Sequence, residues 1–455
     1  MGTIRVAEKP STRTNQQKIE RGALALGFLS VALQRFGIGG GDDGASAQFT
    51  TVILLLAVAW AMLRVGLRMM QVNIFLYLLI VLAVCLSTGT ALLARDSASI
   101  ASLLLMLATY SIVLIAGPGG PPVDFGKVFF RGAVSAIKLG ALLAVAQDLI
   151  QRAGGGYFDP LSTVPSQFLV SGYNTYWDLR YQGGLGQFKP NGVIFLEPSL
   201  LSLYSAVAII YVLGRLFGAA AEGSRKSNIF WFLVLSGGFI VSASAAGVVV
   251  LAAGSIPLIL GIRRNRALTI PVFGAVVVGL LSGAFNSVIA KALEGFSGNT
   301  SAALRLTLPY EYLTPYWIER PLLGWGSGEA SHIIEATNGA GGLQASTLMK
   351  LLVEYGLLCA LILAVVVVKC LWRSGAPTAL VVAVFAAWAV PAEALLNSTL
   401  VLLLLFALPN WGTAPSPAPK TKPTPQLGRP YAHSRTFADA VRTVPTFVDS
   451  GSRPL

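Results

Sequence analysis

RLTLPYEYLTPYWIERPLLGWGSGEASH (residues 305–332), followed after a glycine-rich link by STLMKLLVEYGLL (346–358), decides how the chain is read. The first stretch is far too polar to cross a bilayer, yet long apolar runs precede and follow it. It is therefore a large loop at one membrane surface. It carries Arg305, Arg320, several carboxylates and His332, one of the chain's two histidines. Pro321, Gly324, Gly326 and Gly328 mark a turn in its middle. Glycines at such a turn permit positive φ and let a ligand approach main-chain N–H groups.

Composition sets the class around this loop. Mean hydropathy is +0.69, and 54% of residues are hydrophobic against 12% charged. A soluble domain carries about 25% charged residues. Many apolar runs reach the roughly 17–25 residues that a helix needs to span a bilayer. Helices are expected because each makes its backbone hydrogen bonds within its own span. The expected fold is all-α, a polytopic integral membrane protein of about twelve transmembrane helices. Net charge is +13. In such a chain the excess Lys and Arg collect on cytoplasmic loops and set orientation, so the charge does not point to nucleic acid. Cys85, Cys359 and Cys370 lie in or at the ends of apolar runs, without metal-ligand spacing. HExxH and cysteine-cluster motifs are absent, and no metal or cofactor is expected.

Residues 1–21 read as a polar, basic cytoplasmic tail and 410–455 as a disordered Pro-rich one. Between them, residues 22–409 form the membrane domain. Its spans are expected near 22–38, 48–63, 73–92, 98–116, 133–150, 193–213, 228–262 (two, broken at VSASAAG), 267–288, 346–369, 376–392 and 396–409. The first ends at Gln34 and Arg35, and the fifth is interrupted by Lys138. GPGGPPVDFGKVFFRG (117–132) falls short of a phosphate-binding P-loop. Its Gly120–Gly126 spacing is one residue too long, and Val128 stands where Ser or Thr would bind magnesium. A cytoplasmic N-terminus places Arg64, Arg68, Lys127, Arg131, Arg215, Arg225, Lys226, Arg263, Lys369 and Arg373 inside. It puts the loops at about 151–192 and 289–345 outside the cytoplasm.

These external loops keep cations that topology does not require: Arg180, Lys189, Arg305 and Arg320. Guanidinium groups there suit a diphosphate at the bilayer surface. Pairing with nearby carboxylates or lipid headgroups is the plainer alternative. Glu197 lies in GVIFLEPSLLSLY, where a carboxylate at membrane depth costs about 2–3 kcal/mol and usually faces a cavity. The alternative is a helix start, with Glu197 as cap and Pro198 in the first turn. VSASAAG (241–247) suits tight helix packing or a broken helix. His332 is either solvated or a proton acceptor near neutral pH, flanked by Glu329 and Glu335.

Four elements resemble the bacterial O-antigen polymerases and ligases and related exopolysaccharide polymerases of the cytoplasmic membrane. They are FKPNGVIFLEPSLL (188–201), VSASAAGVVVL (241–251), SAALR before ERPLLGWGSG (301–328) and STLMKLLVEYGLL (346–358). Their order and spacing follow that family across roughly the C-terminal two-thirds of the chain. The resemblance implies a metal-independent, inverting glycosyl transfer at the periplasmic face of the inner membrane. The donor would be an oligosaccharide on undecaprenyl diphosphate, with membrane lipid around it and a chain-length regulator and export machinery as further partners. It implies Glu197, Arg305 and His332 as catalytic candidates, and Arg180, Lys189, Asn191 and Arg320 as substrate-binding ones. Many ligases carry an arginine where Ala245 and Ala246 stand, and a histidine where QASTLMKLLVEYG begins. These departures favour a polymerase of secreted polysaccharide over a lipid A ligase. A ligase and a transporter for lipid-linked saccharides remain the alternatives.

Overall fold

The computed structural model describes residues 10–38, 47–67, 69–94, 98–111, 114, 124–170, 188–217, 224–242, 244–262, 308–338, 345–372, 374–389 and 399–412. All of them lie in one compact unit, Met1–Ala414. Their helices are α1 (Pro10–Ala32), α2 (Phe49–Val65), α3 (Gln71–Leu93), α4 (Ile100–Tyr110), α5 (Phe125–Arg152), α6 (Pro198–Phe217), α7 (Arg225–Ser242), α8 (Ala245–Ile262), α9 (Leu308–Glu319), α10 (Glu329–Asn338), α11 (Thr347–Trp372), α12 (Thr378–Ala389) and α13 (Thr399–Ala407). One short antiparallel pairing, β1 (Gly37–Ile38) with β2 (Ala47–Gln48), leads into α2.

Among the described residues, four helices are long and apolar enough to cross a membrane: Asn73–Leu93 of α3, and α5, α6 and α11. Shorter apolar helices are α2, α4, α12 and Ala246–Leu260 of α8. Leu78 and Leu82 on α3, and Leu361 and Val365 on α11, face outward and exposed, as side chains in contact with lipid do. The tail boundary expected at 21 falls inside α1. α5 begins at Phe125, ahead of the expected 133, because the Asp124 carboxylate caps it by accepting from Lys127 N at 3.2 Å. The span expected near 267–288 and the tail beyond residue 412 lie outside the described residues.

Glycines set the closest helix contacts. A Cβ at Gly27 of α1 would lie 1.9 Å from the Phe129 carbonyl oxygen of α5, and one at Gly132 of α5 would lie 2.1 Å from the Leu24 carbonyl oxygen of α1. The two backbones therefore touch at reciprocal glycines, the small-residue contact used inside membranes, where packing rather than water drives association. The VSASAAG break separates α7 from α8 and packs α8 onto α6. There a Cβ at Gly247 would lie 2.1 Å from Ser202 Oγ, and that hydroxyl donates to the Ser244 carbonyl at 3.2 Å. Gly126, in the P-loop-like stretch, has the same use, since a Cβ there would lie 2.1 Å from the Ala407 carbonyl oxygen at the end of α13. Beside that contact Phe125 and Phe129 stack, and Phe406 meets both rings edge to face.

Replacing Gly27 or Gly132 by Leu should lower the thermal unfolding midpoint in detergent by several degrees. Gly89→Ala, where nothing lies within 4 Å of the new methyl, should leave it unchanged or raise it, since Ala favours helix over Gly. Circular dichroism during heating reads both.

Candidate functional site

Where the sequence suggested one large loop, the described residues form α9 and α10, and the turn between them meets α11 at a break in that helix. Gly356 has φ 72° and ψ 178°, which interrupts the helix. An unbroken helix would bond Leu357 N to Val353 O and Leu358 N to Glu354 O. Here those donors and acceptors all turn to the segment after α9. Leu357 N donates to Pro321 O at 2.8 Å, and Leu358 N to Leu322 O at 3.4 Å. In return, Trp325 N donates to Val353 O and Gly326 N to Glu354 O, both at 2.8 Å. Ser87 Oγ of α3 adds a 2.8 Å bond to the Glu354 carbonyl. Further along, Ser327 O accepts from Ser99 N at 2.7 Å and Ser327 Oγ donates to Ser99 O at 2.6 Å. The turn is thus wedged between α11 and the link joining α3 to α4.

This corrects the expectation of an open ligand cradle. Gly324, Gly326 and Gly328 do adopt positive φ, at 70°, 99° and 86°. The close approach they permit is to protein: a Cβ would lie 2.6 Å from the Glu354 carbonyl carbon, 2.6 Å from Ala91 Cβ and 2.9 Å from Ser99 Cβ, respectively. The Trp325 and Gly326 N–H groups already serve α11.

Beneath the turn lies a buried charge pair. The Glu354 side chain is fully buried, and Lys350 Nζ stands 3.8 Å from its Oε1. The carboxylate faces the N–H groups of Gly328 and Ala330 and the Tyr355 hydroxyl without closing a regular hydrogen bond to them. It sits at the N-terminal end of α10, where the helix dipole favours negative charge. Above, the Arg320 guanidinium lies 3.9 Å over the Trp325 ring, whose Nε1 donates to Tyr316 O at 2.8 Å. Arg320 is half-buried by this stacking, whereas His332 on α10 is exposed.

A second polar assembly precedes α6. Gln147, fully buried on α5, donates to Phe158 O at 2.7 Å and accepts from Gly192 N at 2.8 Å. One turn on, Gln151 accepts from Phe188 N at 2.8 Å and donates to Phe188 O at 3.2 Å. Asn191 Oδ1 accepts from Tyr157 Oη at 2.9 Å and Val193 N at 3.0 Å. Gly192 and Val193 both have positive φ, 66° and 63°. Ile194 N donates to Gly192 O at 2.6 Å and closes a γ-turn on Val193. Such a conformation in a β-branched residue stores about 1–3 kcal/mol of strain. Arg35 holds it, donating to Val193 O at 3.1 Å. The same guanidinium pairs with Asp159 at 2.9 Å, both side chains being 4% exposed. Burial first, and then the Asp159 carboxylate, push the Tyr157 phenol above its ordinary pKa.

This cradle delivers Glu197 to the head of α6. Its carbonyl accepts from Leu201 N at 3.2 Å, and its half-buried carboxylate accepts from Ser199 Oγ at 2.6 Å. Lys189 is also half-buried, at the entry to the cradle. Asn191 is 1% exposed and its amide oxygen is used inside the protein, so it supports backbone instead of presenting itself to a surface ligand. Arg180 and Arg305 lie outside the described residues. Among the described residues no three His, Cys, Asp or Glu side chains gather as a metal site requires. No family model and no curated protein matches the chain.

Sequence reasoning missed Arg35, Gln147, Asp159, Lys350 and Glu354. Two of them left a signal. Arg35 ends an apolar run, and Glu354 lies inside one, and a charge in that setting needs a partner.

Truncating Arg35 or Asp159 alone to Ala should cost about 3–5 kcal/mol, because each leaves an uncompensated buried charge. The double variant should cost less than the sum, as read from a thermal or denaturant unfolding cycle. Tyr157 predicts an alkaline effect. Its folded pKa is raised, so the unfolded chain loses the phenol proton first, and stability should fall as pH rises above the ordinary tyrosine value of 10.0. Tyr157→Phe should show a shallower fall in unfolding midpoint over that range.

Proposed function

We propose that the protein is a membrane glycosyltransferase that polymerises undecaprenyl-diphosphate-linked oligosaccharide units into exopolysaccharide or O-antigen. In this reading the chain crosses the bacterial inner membrane about twelve times. Both termini are cytoplasmic, and the loops near 151–192 and 289–345 are periplasmic. The observation that carries the reading is Glu197: a half-buried carboxylate, fixed by Ser199 at the head of a membrane-length helix and delivered by a strained, clamped cradle. The order of the four family-like sequence elements supports it.

The chemistry follows from the residue types. An acceptor sugar hydroxyl attacks the anomeric carbon of the donor. The bond from that carbon to the diphosphate oxygen breaks, and its electron pair leaves with the diphosphate. Glu197 takes the hydroxyl proton, with His332 the second candidate for that role. Arg305, with Arg180, Lys189 and Arg320 in support, stabilises the charge that develops on the departing diphosphate. Asn191 contributes by holding the cradle backbone.

The test is a gene deletion followed by analysis of lipid-linked intermediates and secreted polysaccharide together. Single repeat units should accumulate on the lipid at the periplasmic face, with polymer absent. Wild type should restore polymer. Arg305→Ala and Glu197→Gln, at equal expression, should reduce it by about a hundredfold or more, the scale of a lost acid–base group or charge stabiliser. Full-length polymer retained on its lipid would instead identify a ligase. Units trapped at the cytoplasmic face would identify a transporter.

A further inference from the structure

Ile318 in the last turn of α9 and Leu322 in the turn after it are each 65% exposed. The chemistry above uses neither. Pro321 is exposed beside Leu322, so an apolar edge faces outward from a stretch that is otherwise polar. What covers that edge follows from where it stands along the membrane-length helices.

Two helices give the level. Leu322 O accepts from Leu358 N of α11 at 3.4 Å. From Trp372, the exposed last residue of α11, back to Leu358 the helix rises about 21 Å. An aromatic side chain at such an end marks a bilayer boundary. α3 runs antiparallel to α11: Lys369 Nζ donates to Asn73 Oδ1 at 2.7 Å, and Ser87 Oγ donates to Glu354 O at 2.8 Å. From Asn73 to Ser87, beside the same turn, α3 also rises about 21 Å. Both measures set the turn inside a hydrocarbon core of roughly 30 Å, nearer its far face.

The surroundings at that level are apolar. Leu358, Leu361 and Val365 form one exposed stripe on α11 that runs away from Leu322. On the other flank, Leu93 at the end of α3 and Ile100 and Leu104 on α4 are exposed, next to the Ala91 and Ser99 that touch the turn. Glu319 is exposed and Arg320 half-buried between Ile318 and Leu322. Apolar and charged side chains alternating in this way suit the boundary between acyl chains and headgroups.

We propose that Ile318, Pro321 and Leu322 are a docking edge for the bilayer surface, entering the acyl region just beneath the headgroups and tying α9 to the membrane. The occupant is bilayer lipid because the edge continues the outward stripe of α11. The inference rests on α11 crossing the bilayer and holds whichever reaction the chain performs.

The full chain is made with Cys85→Ser, since Cys85 is exposed while Cys359 and Cys370 are buried. Ile318→Cys, Leu322→Cys, Val365→Cys on α11 and Glu335→Cys on α10 are each labelled with bimane and placed in phosphatidylcholine vesicles. Lipid carrying a nitroxide on the upper acyl chain should quench the labels at 318, 322 and 365 severalfold more than the label at 335. Iodide in the water should show the reverse order. Iodide reaching 318 and 322 as freely as 335 overturns the proposal. Shielding of both from both quenchers also overturns it, in favour of a second copy or another segment of the chain. Relief of nitroxide quenching by a little undecaprenyl phosphate overturns bulk lipid as the occupant in favour of a polyprenyl chain. A label at 365 that the nitroxide does not reach removes the premise and the proposal with it. If Leu322→Cys fails to fold, Ile318→Cys decides the matter.

Discussion

Hydrocarbon offers no hydrogen bonds, so a helix broken inside a membrane protein must find other partners for the backbone groups that the break releases. α11 meets this constraint at Gly356. Two carbonyls and two amides come free, and the segment from Pro321 to Gly326 takes up all four. Leaving them unmet costs several kcal/mol each. The rest of the region follows from this exchange. Gly324, Gly326 and Gly328 are there because a side chain would hold the turn away from α11, α3 and the α3–α4 link. Arg320 and Trp325 gain a fixed platform from it. Glu354 is sealed below it, opposite the first turn of α10.

The cradle before α6 solves a related problem by other means. Its backbone forms no regular structure, so polar side chains serve it instead: Gln147, Gln151 and Asn191 bond main-chain groups directly, and Arg35 holds the strained Val193 carbonyl. A buried ion pair is a poor source of net stability, because desolvation offsets most of the attraction. Arg35 and Asp159 are better understood as fixing one geometry. Breaking either partner leaves the other charged and stranded, so the chain has little freedom to drift from the arrangement that presents Glu197 at the head of α6.

The helical character and the break at VSASAAG were legible in the chain itself, because bilayer thickness and small-residue packing leave strong marks on composition. The start of α5 was misjudged because the Asp124 cap competes with the proline-rich stretch before it. The turn at Pro321–Gly328 was recognised as a turn and given the wrong neighbour. Glycine at positive φ announces close approach, but nothing in local sequence says whether a ligand or another helix makes it. Arg35 and Asp159 are far apart in the chain, and pairing at that range leaves no local pattern. Glu354 was visible as a charge in an apolar run, yet its burial depends on where α9 and α10 fold.

The exchange at Gly356 also fixes a count. Pro321, Leu322, Trp325 and Gly326 meet Val353, Glu354, Leu357 and Leu358 as two reciprocal pairs of bonds. One residue added or lost between Leu322 and Trp325 would put one pair out of step with the other. One added between Glu354 and Leu357 would do the same from the opposite side. These two short stretches must therefore keep their lengths together in any descendant of this chain, while their side chains are freer to change than their number.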